Sequence, residues 1–383
     1  MARTSRDIPD ATLRLLLAPG IAAVTLARLR RHFGSDEEIV TATAKRLAEV
    51  QRIGPDSAAA LRRALGDTDP ALERRRMDDR GAGLIVRGDD DYPVLLETIP
   101  DPPAALWIRG RLEEADRLAV AVVGARRCTA YGREQAGRFS SLLAECGLTI
   151  VSGGAIGIDA EAHRGALRAG GRTIVVLGCG LAVTYPPQHG ELFDRIVAAG
   201  GALLSEYPMR SLPLAAHFPH RNRIISGLSV GVLVIEAARR SGALITARRA
   251  AEEHGREVMA VPGRVDSPAS AGCHAAIREG WAALVTSHAD AICQLDASSH
   301  LVRGALEAAG HADARTSATL FETKLTGAQR IIVETLRDAG GAIVVDQIAA
   351  RCDLPLSRIL ADLTLLEIRG RISQDRQGVR LKS

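Results

Sequence analysis

The spacing of hydrophobic positions changes character several times along the chain. From Leu13 to Phe33, then over Ala42–Val50 and Ala58–Leu65, apolar residues recur at helical spacing in short stretches broken at Pro19-Gly20-Ile21 and Ile53-Gly54-Pro55. This predicts a small helical domain over residues 1–70. Its two glycine turns resemble those of a helix-hairpin-helix, in which N–H groups at a helix start face a DNA phosphate, although such turns also simply end helices. A polar, arginine-rich stretch and the strand-like ALWIRG follow, so residues 71–117 read as a connector with a lead-in strand.

From Leu118 short β-branched runs take over: LAVAVVG, LTIVSGG, RTIVVLGCG, ALLSE, VGVLVIEA, REVMAVPG and AALV. Helical stretches separate most of them, as in GREQAGRFSSLLAEC, where Ala136, Phe139, Leu142, Leu143 and Cys146 mark one face. Apolar strands alternating with helices predict an α/β fold over 118–295, a doubly wound parallel sheet covered on both faces. Residues 296–324 are polar and rich in Ala, Ser and His, which reads as a linker with few contacts across it. Over 325–383, helices at Thr326–Ala339, Val345–Cys352 and Pro355–Ile368 and the hairpin-like GRISQDRQGVRLK predict a winged helix.

Composition narrows the class. No apolar run approaches the roughly 20 residues of a membrane helix, so a soluble chain without membrane insertion is expected. Asp7 and Asp10 interrupt the N-terminal apolar stretch, and no export signal is read there. The six cysteines form no C-x-x-C pair and no His cluster stands at zinc spacing; free thiols in a reducing cytosol and no metal are expected. A net charge of +4 is too small to demand a polyanionic partner. The cations are nearly all arginine, Lys45, Lys324 and Lys382 being the only lysines, but a GC-rich genome gives the same bias. Only local arginine placement therefore carries weight.

That placement is suggestive. In an open parallel sheet ligands bind beyond the carboxyl ends of the strands, where helix starts present N–H groups to anions. Here those ends carry Gly124-Ala125-Arg126-Arg127, Ser152-Gly153-Gly154, Gly178-Cys179-Gly180 and Arg239-Arg240-Ser241-Gly242, with Ser241 placed to cap the next helix, which includes Thr246. Glycines after strands also serve tight turns, but the whole set, with Arg126, Arg221 and Arg223, favours phosphate binding. A Walker A sequence is absent, and Val183 stands where a dinucleotide fingerprint needs its third glycine, so no nucleotide cofactor is expected. Asp159, Glu206 and Glu236 sit near strand ends without a spaced catalytic partner, and the expected role is to cap helices or orient arginines. HFPHRNRIISGLS sets Phe218 beside Arg221, Asn222 and Arg223, a ring able to stack on a base among cations for the backbone. Phe218 as core filling stays open beside this.

VVGARRCTAYG, SGGAIGIDAEAH, LGCGLAVTYP, SEYP, HFPHRNRIISGLS, VIEA, SGALITARRA and REVMAVPG resemble, in order, the signature blocks of the DNA-processing protein A (DprA/Smf) family. The resemblance implies a SAM-like helical domain, an extended Rossmann-like domain and a winged helix. It also implies single-stranded DNA binding without catalysis, loading of the recombinase RecA in natural transformation, and a homodimer. By motif it makes Arg126 a phosphate contact and Ser152-Gly153 a second anchoring turn, and it gives DNA-binding roles to Phe218, Arg221, Asn222, Arg223, Ser241, Gly242 and Thr246. Ala125 stands where the family commonly has Ser, and Ile156 where many members have a basic residue.

Two rival classes remain. Phosphoribohydrolase-like enzymes share such a domain but rely on P-G-G-x-G-T-x-x-E, whereas this chain has Arg240-Ser241-Gly242-Ala243-Leu244-Ile245-Thr246 without the following glutamate. A winged-helix transcriptional regulator would read bases with PLSRILADLTLLEIRG, which has Arg358 almost alone and suits a protein contact better than the major groove.

Overall fold

A computed structural model describes residues 7–296, 325–368, 371–375 and 378–382; the linker expected over 296–324 falls, beyond Asp296, outside the described residues. In chain order the elements begin with α1 (Asp10–Leu17), α2 (Ala23–Phe33), α3 (Asp36–Thr41), α4 (Ala44–Leu47), α5 (Pro55–Asp67), α6 (Pro70–Asp78), β1 (Ala82–Val86), α7 (Val94–Glu97) and β2 (Ala105–Gly110). Then come β3 (Ala119–Val123), α8 (Ala130–Glu145), β4 (Thr149–Ser152), α9 (Ile158–Arg168), β5 (Thr173–Leu177), α10 (Gly190–Ala198), β6 (Ala202–Ser205), α11 (His217–Gly227) and β7 (Gly231–Val234). The chain continues through α12 (Gly242–Glu252), β8 (Glu257–Ala260), α13 (Ala271–Arg278), β9 (Ala283–Leu284) and α14 (His288–Asp296). It ends with α15 (Gly327–Ala339), α16 (Val345–Arg351), α17 (Leu356–Ile368), β10 (Ile372–Asp375) and β11 (Gly378–Leu381).

These elements form two compact units. One comprises the chain up to Tyr92 with Ile99–Arg111 and Val176–Ile224; the other comprises Pro93–Thr98, Leu112–Val175 and the chain from Ile225. In the first unit, α1–α5 close over Leu15, Leu26, Leu29, Phe33, Ile39, Leu47, Leu61 and Leu65. Ser35 starts α3 by accepting the Glu38 N–H at 3.2 Å, and Pro55 starts α5, where its missing N–H breaks no helical bond. Three antiparallel strands lie in the order β1-β2-β6, with Trp107 of β2 fully buried opposite Ser205.

The second unit is the doubly wound α/β body. Its strands run parallel in the order β5-β4-β3-β7-β8-β9. Counted from β3 along the chain this is the order 3-2-1-4-5-6 of a Rossmann sheet. The chain builds outward from β3 to β5 and later resumes at β7 on the other side of β3. The helix-bearing loops after β3 and β7 therefore diverge and leave a crevice at their carboxyl ends, the position where such sheets bind ligands. Val120, Val122, Phe139, Leu143, Ile150, Leu233 and Met259 are buried in its core, which is why the strands are apolar on consecutive positions rather than alternate ones.

The winged helix closes its own core over Ile332, Leu336, Ile348, Ile359, Leu363 and Val379. A capping box between Thr326 and Gln329 starts α15, and Gly340 in the left-handed region ends it. The expectation of few contacts with the central domain fails. Ala361 and Leu365 of α17 join the core of the α/β body. Gln329 donates to the Cys146 carbonyl at 3.0 Å and to Asp362 at 2.9 Å, while Arg358 holds Asp362 at 2.7 Å and the Glu145 carbonyl at 3.0 Å. The helix whose few basic side chains ill suit a DNA groove packs instead on the end of α8.

Candidate nucleic-acid interface

The crevice between β3 and β7 is bridged by Glu236. Its carbonyl accepts the Ala125 N–H at 2.8 Å, and its carboxylate accepts the Thr129 N–H at 2.8 Å and the Thr129 hydroxyl at 2.6 Å. Thr129 in turn caps α8, accepting the Gly132 N–H at 3.1 Å. The two loops are thus tied together, and Arg126, Arg127, Arg239 and Arg240, which they carry, are all exposed. Four exposed arginines at a sheet's topological switch point make a cationic rim, and the carboxylate that bridges it, Glu236, is engaged by Thr129.

The other expected residues of this unit surround that rim in different ways. Gly124 is half-buried beneath Ile158, the first residue of α9. Gly157 has φ +86, and a Cβ there would stand 2.4 Å from the Ala125 carbonyl; only glycine lets α9 start this close to the loop after β3. No side chain caps α9. Asp159 accepts the Ala155 N–H at 3.3 Å, a supporting role of the kind expected for it. Ser152 is fully buried and donates to the Val122 carbonyl at 2.6 Å, so its hydroxyl serves the sheet, and Gly153 behind it is buried too. Ser241 caps α12 by accepting the Leu244 N–H at 3.3 Å, Gly242 is exposed, and Thr246 is buried with its hydroxyl on the Gly242 carbonyl at 3.3 Å.

The remaining site residues belong to the first unit, where they form an aromatic and polar cluster. Gly178, just past β5, lies under the ring of Phe218: a Cβ there would come within 2.9 Å of Phe218 Cδ1. Phe218 is half-buried, its centroid 5.5 Å from that of Tyr185, with the Arg221 guanidinium 6.0 Å from the ring. Tyr207 stacks on His217 at 3.9 Å. Gly180 sits in a turn, its N–H donating to the Ser211 carbonyl at 2.9 Å.

The two arginines of this block are built into the protein. Arg221 is buried and donates to the Val176 carbonyl and, at 3.2 Å, to Oδ1 of the half-buried Asn222. Arg223 is 1% exposed, forks onto Glu206 at 2.6 and 2.9 Å, and reaches the Asp101 carboxylate at 3.2 Å and its carbonyl at 2.9 Å. Glu206, expected to orient an arginine, does so. Burial disfavours its charge, but hydrogen bonds from His220 and Arg223 outweigh that and hold its carboxyl below the ordinary 4.5. Burial, with the Glu206 charge beside it, pushes the Tyr207 phenol up to about 12, so it stays a neutral donor. Burial likewise pushes the Cys179 thiol up to about 11, which removes it as a nucleophile.

Sequence reasoning passed over Tyr185 and Tyr207, although both lie in the blocks LAVTYP and SEYP. The available signal was scarcity: only 3% of the chain is aromatic, so rings gathered near strand ends stand out. Among the described residues no group of His, Cys, Asp and Glu is arranged to hold a metal, and no helix is long and apolar enough to cross a membrane.

Residues 83–296 match the family described as DNA recombination-mediator protein A, and residues 316–378 match the DprA winged helix domain. Protein Smf of Synechocystis is 36% identical over 378 residues, covering 93% of this chain and 94% of that protein. Protein Smf of Escherichia coli is 40% identical over 292 residues, covering 76% of this chain and 75% of its own length. The crystal structure of DNA processing protein A from Streptococcus pneumoniae is similar with a TM-score of 0.64 at 36% identity, covering 75% of this chain and 98% of that one. The Helicobacter pylori protein, whose structure concerns its single-stranded DNA binding mode, has a TM-score of 0.50 at 29% identity over 56% of this chain and 95% of that one. Matched over most of its length by such relatives, and carrying both the Rossmann order and the winged helix, the chain belongs to the DprA/Smf family of DNA-processing proteins.

Proposed function

We propose that this protein binds single-stranded DNA in the cytoplasm, as a homodimer, and hands it to the recombinase RecA during natural transformation, without chemistry of its own. The observation that carries the reading is the cationic rim at the switch point, where Arg126, Arg127, Arg239 and Arg240 are exposed on the loops after β3 and β7 and the backbone at Arg126 meets the uncapped start of α9. Guanidinium groups and helix-start amides hold phosphates without reading bases. The cluster of Phe218, Tyr185 and Tyr207 supplies flat faces of the kind on which unpaired bases stack. Gly124 and Gly242 are assigned to the backbone approach of the strand, and Arg223, Ser152, Gly153, Gly180 and Thr246 to supporting the fold.

An enzymatic reading finds less support. Glu236 is engaged by Thr129, Glu206 by Arg223 and His220, and Asp159 by Ala155. The relative from Helicobacter pylori adds weight to single-stranded DNA as the ligand. A gel shift comparing a single strand with the matching duplex, without nucleotide or metal, tests the binding; RecA filament formation on strands coated by a single-strand-binding protein tests the hand-over. Duplex binding equal to single-strand binding, or release of free base from nucleoside monophosphates, overturns the reading.

A further inference from the structure

A second cationic groove lies in the first unit, and its lining shares only Asp101 with the interface residues described above. Its volume is about 250 Å³, and it is lined by Ala23, Val24, Ala27, Arg28, Arg31, Arg87 and the stretch Ile99–Pro102. Arg28 and Arg31 stand three apart on α2 and so lie on one face of that helix. Neither has an acidic partner among the described residues. The one acid in the lining, Asp101, faces Arg223 at 3.2 Å, so its charge is already shared. Arg28 and Arg31 therefore set two like charges on one helix face beside the groove, an arrangement that an entering anion relieves.

Two further features point the same way. Ala23 and Val24 form the first turn of α2, and no side chain caps that turn, so its N–H groups add to the positive end of the helix. The lining also carries apolar surface, from Ile99, Pro100 and Pro102 and from the exposed Val24, suited to a sugar or a base rather than to a bare ion. The size lies below the ~300–1,000 Å³ of pockets that enclose whole small molecules, and fits one unit of a polymer running through.

We propose that this groove is a second phosphodiester site, taking one nucleotide of a DNA strand against the guanidinium groups of Arg28 and Arg31 and the Ile99–Pro102 stretch. The proposal rests on the reading of the protein as a single-strand binder. A strand long enough to occupy both sites gains contacts that a short strand lacks, so this groove adds affinity only with length.

The test is the full-length Arg28→Gln/Arg31→Gln variant. Arg31 is exposed and Arg28 half-buried, and glutamine keeps most of the length of each stem, so the fold is expected to stand, with an unchanged melting temperature as the check. Affinity is measured for oligothymidylates below and well above about 16 nucleotides, the upper size for one binding domain, over a range of salt. The expected result is unchanged affinity for the short strand and a several-fold loss for the long one. The salt slope for the long strand should fall by about 0.7 for each lost phosphate contact. Arg195→Gln/Arg278→Gln, which removes the same charge elsewhere, should leave both strands unaffected. Equal behaviour of wild type and variant on the long strand overturns the second site while the function stands; equal losses on short and long strands overturn it as well, because the arginines then belong to the principal site. Failure of the wild type to bind either strand overturns both. Thymidine monophosphate bound by the wild type but not by the variant, with long-strand affinity unchanged, would make this a mononucleotide site and sink the strand assignment.

Discussion

Replacing Arg223 separates structural from DNA-contact roles within a single sequence block. Its guanidinium is 1% exposed and makes two hydrogen bonds to Glu206 and two to Asp101, so Arg223→Ala leaves the Glu206 carboxylate buried with only His220 beside it. Removing one partner of a buried pair typically costs about 3–5 kcal/mol; the Glu206 side chain keeps 17% exposure, which favours the low end of that range. For a unit on the order of 150 residues, about 3 kcal/mol lowers the melting temperature by about 6–12 °C. Arg223→Met with Glu206→Leu should recover most of the loss, since the attraction and the desolvation cost vanish together. The pair also sets an acid limit. Its carboxyl is held below 4.5 in the folded protein, so its stabilisation is complete above the unfolded value and disappears as the pH falls through the folded one. Thermal melts from pH 7 down to 3 read both effects, with single-strand affinity measured well below each midpoint. A variant that melts with the wild type yet loses most DNA affinity would refute the structural role and return Arg223 to the strand.

Arg126→Ala should weaken single-strand binding equally for all base compositions and change the salt slope by about 0.7, as read from titrations at several salt concentrations; unchanged slope and affinity exclude it from the site. Phe218→Ala should cost about 1–3 kcal/mol in single-strand affinity with little change in salt slope or melting temperature, because the ring is only half-buried. Phe218→Trp should bind and Phe218→Leu should not; a tryptophan variant that unfolds while leucine stays fully active defeats stacking. Deleting residues 297–383 should leave single-strand affinity within about twofold but lower the melting temperature, since Ala361 and Leu365 then no longer cover the α/β core; an unchanged melt refutes the packing of α17. Gln329→Leu should cost about 1–3 kcal/mol in a urea melt, because Asp362 and the Cys146 carbonyl lose a buried donor.

The sequence by itself determined whatever depends on near neighbours. Consecutive β-branched residues can be buried on both sides only in a covered parallel sheet, so the doubly wound body was legible from runs such as LAVAVV and VGVLV. Ser241 could be assigned as a cap because a cap acts within one turn, here on Leu244. Asp159, Glu206 and Glu236 could be read as supporting groups because no catalytic partner stood at a fixed spacing from them.

Tertiary structure decided everything that depends on long-range partners. The strand order set β3 beside β7, so the loops that carry Arg126 and Arg127 and Arg239 and Arg240, more than a hundred residues apart in sequence, flank one crevice at the switch point. It also divided the arginines: Arg221 and Arg223 look the same as Arg126 in a motif, but burial beside the Val176 carbonyl and the Glu206 carboxylate commits them to the interior. The partner of Arg223 at Asp101 lies 122 positions away, a distance at which no periodicity or spacing speaks. The winged helix shows the same limit, since the linker's composition forecast independence while Gln329 reaches across 183 positions to the Cys146 carbonyl. Local pattern fixes which elements form because their hydrogen bonds close within a few residues; which charges stay at the surface depends on what the rest of the chain brings against them.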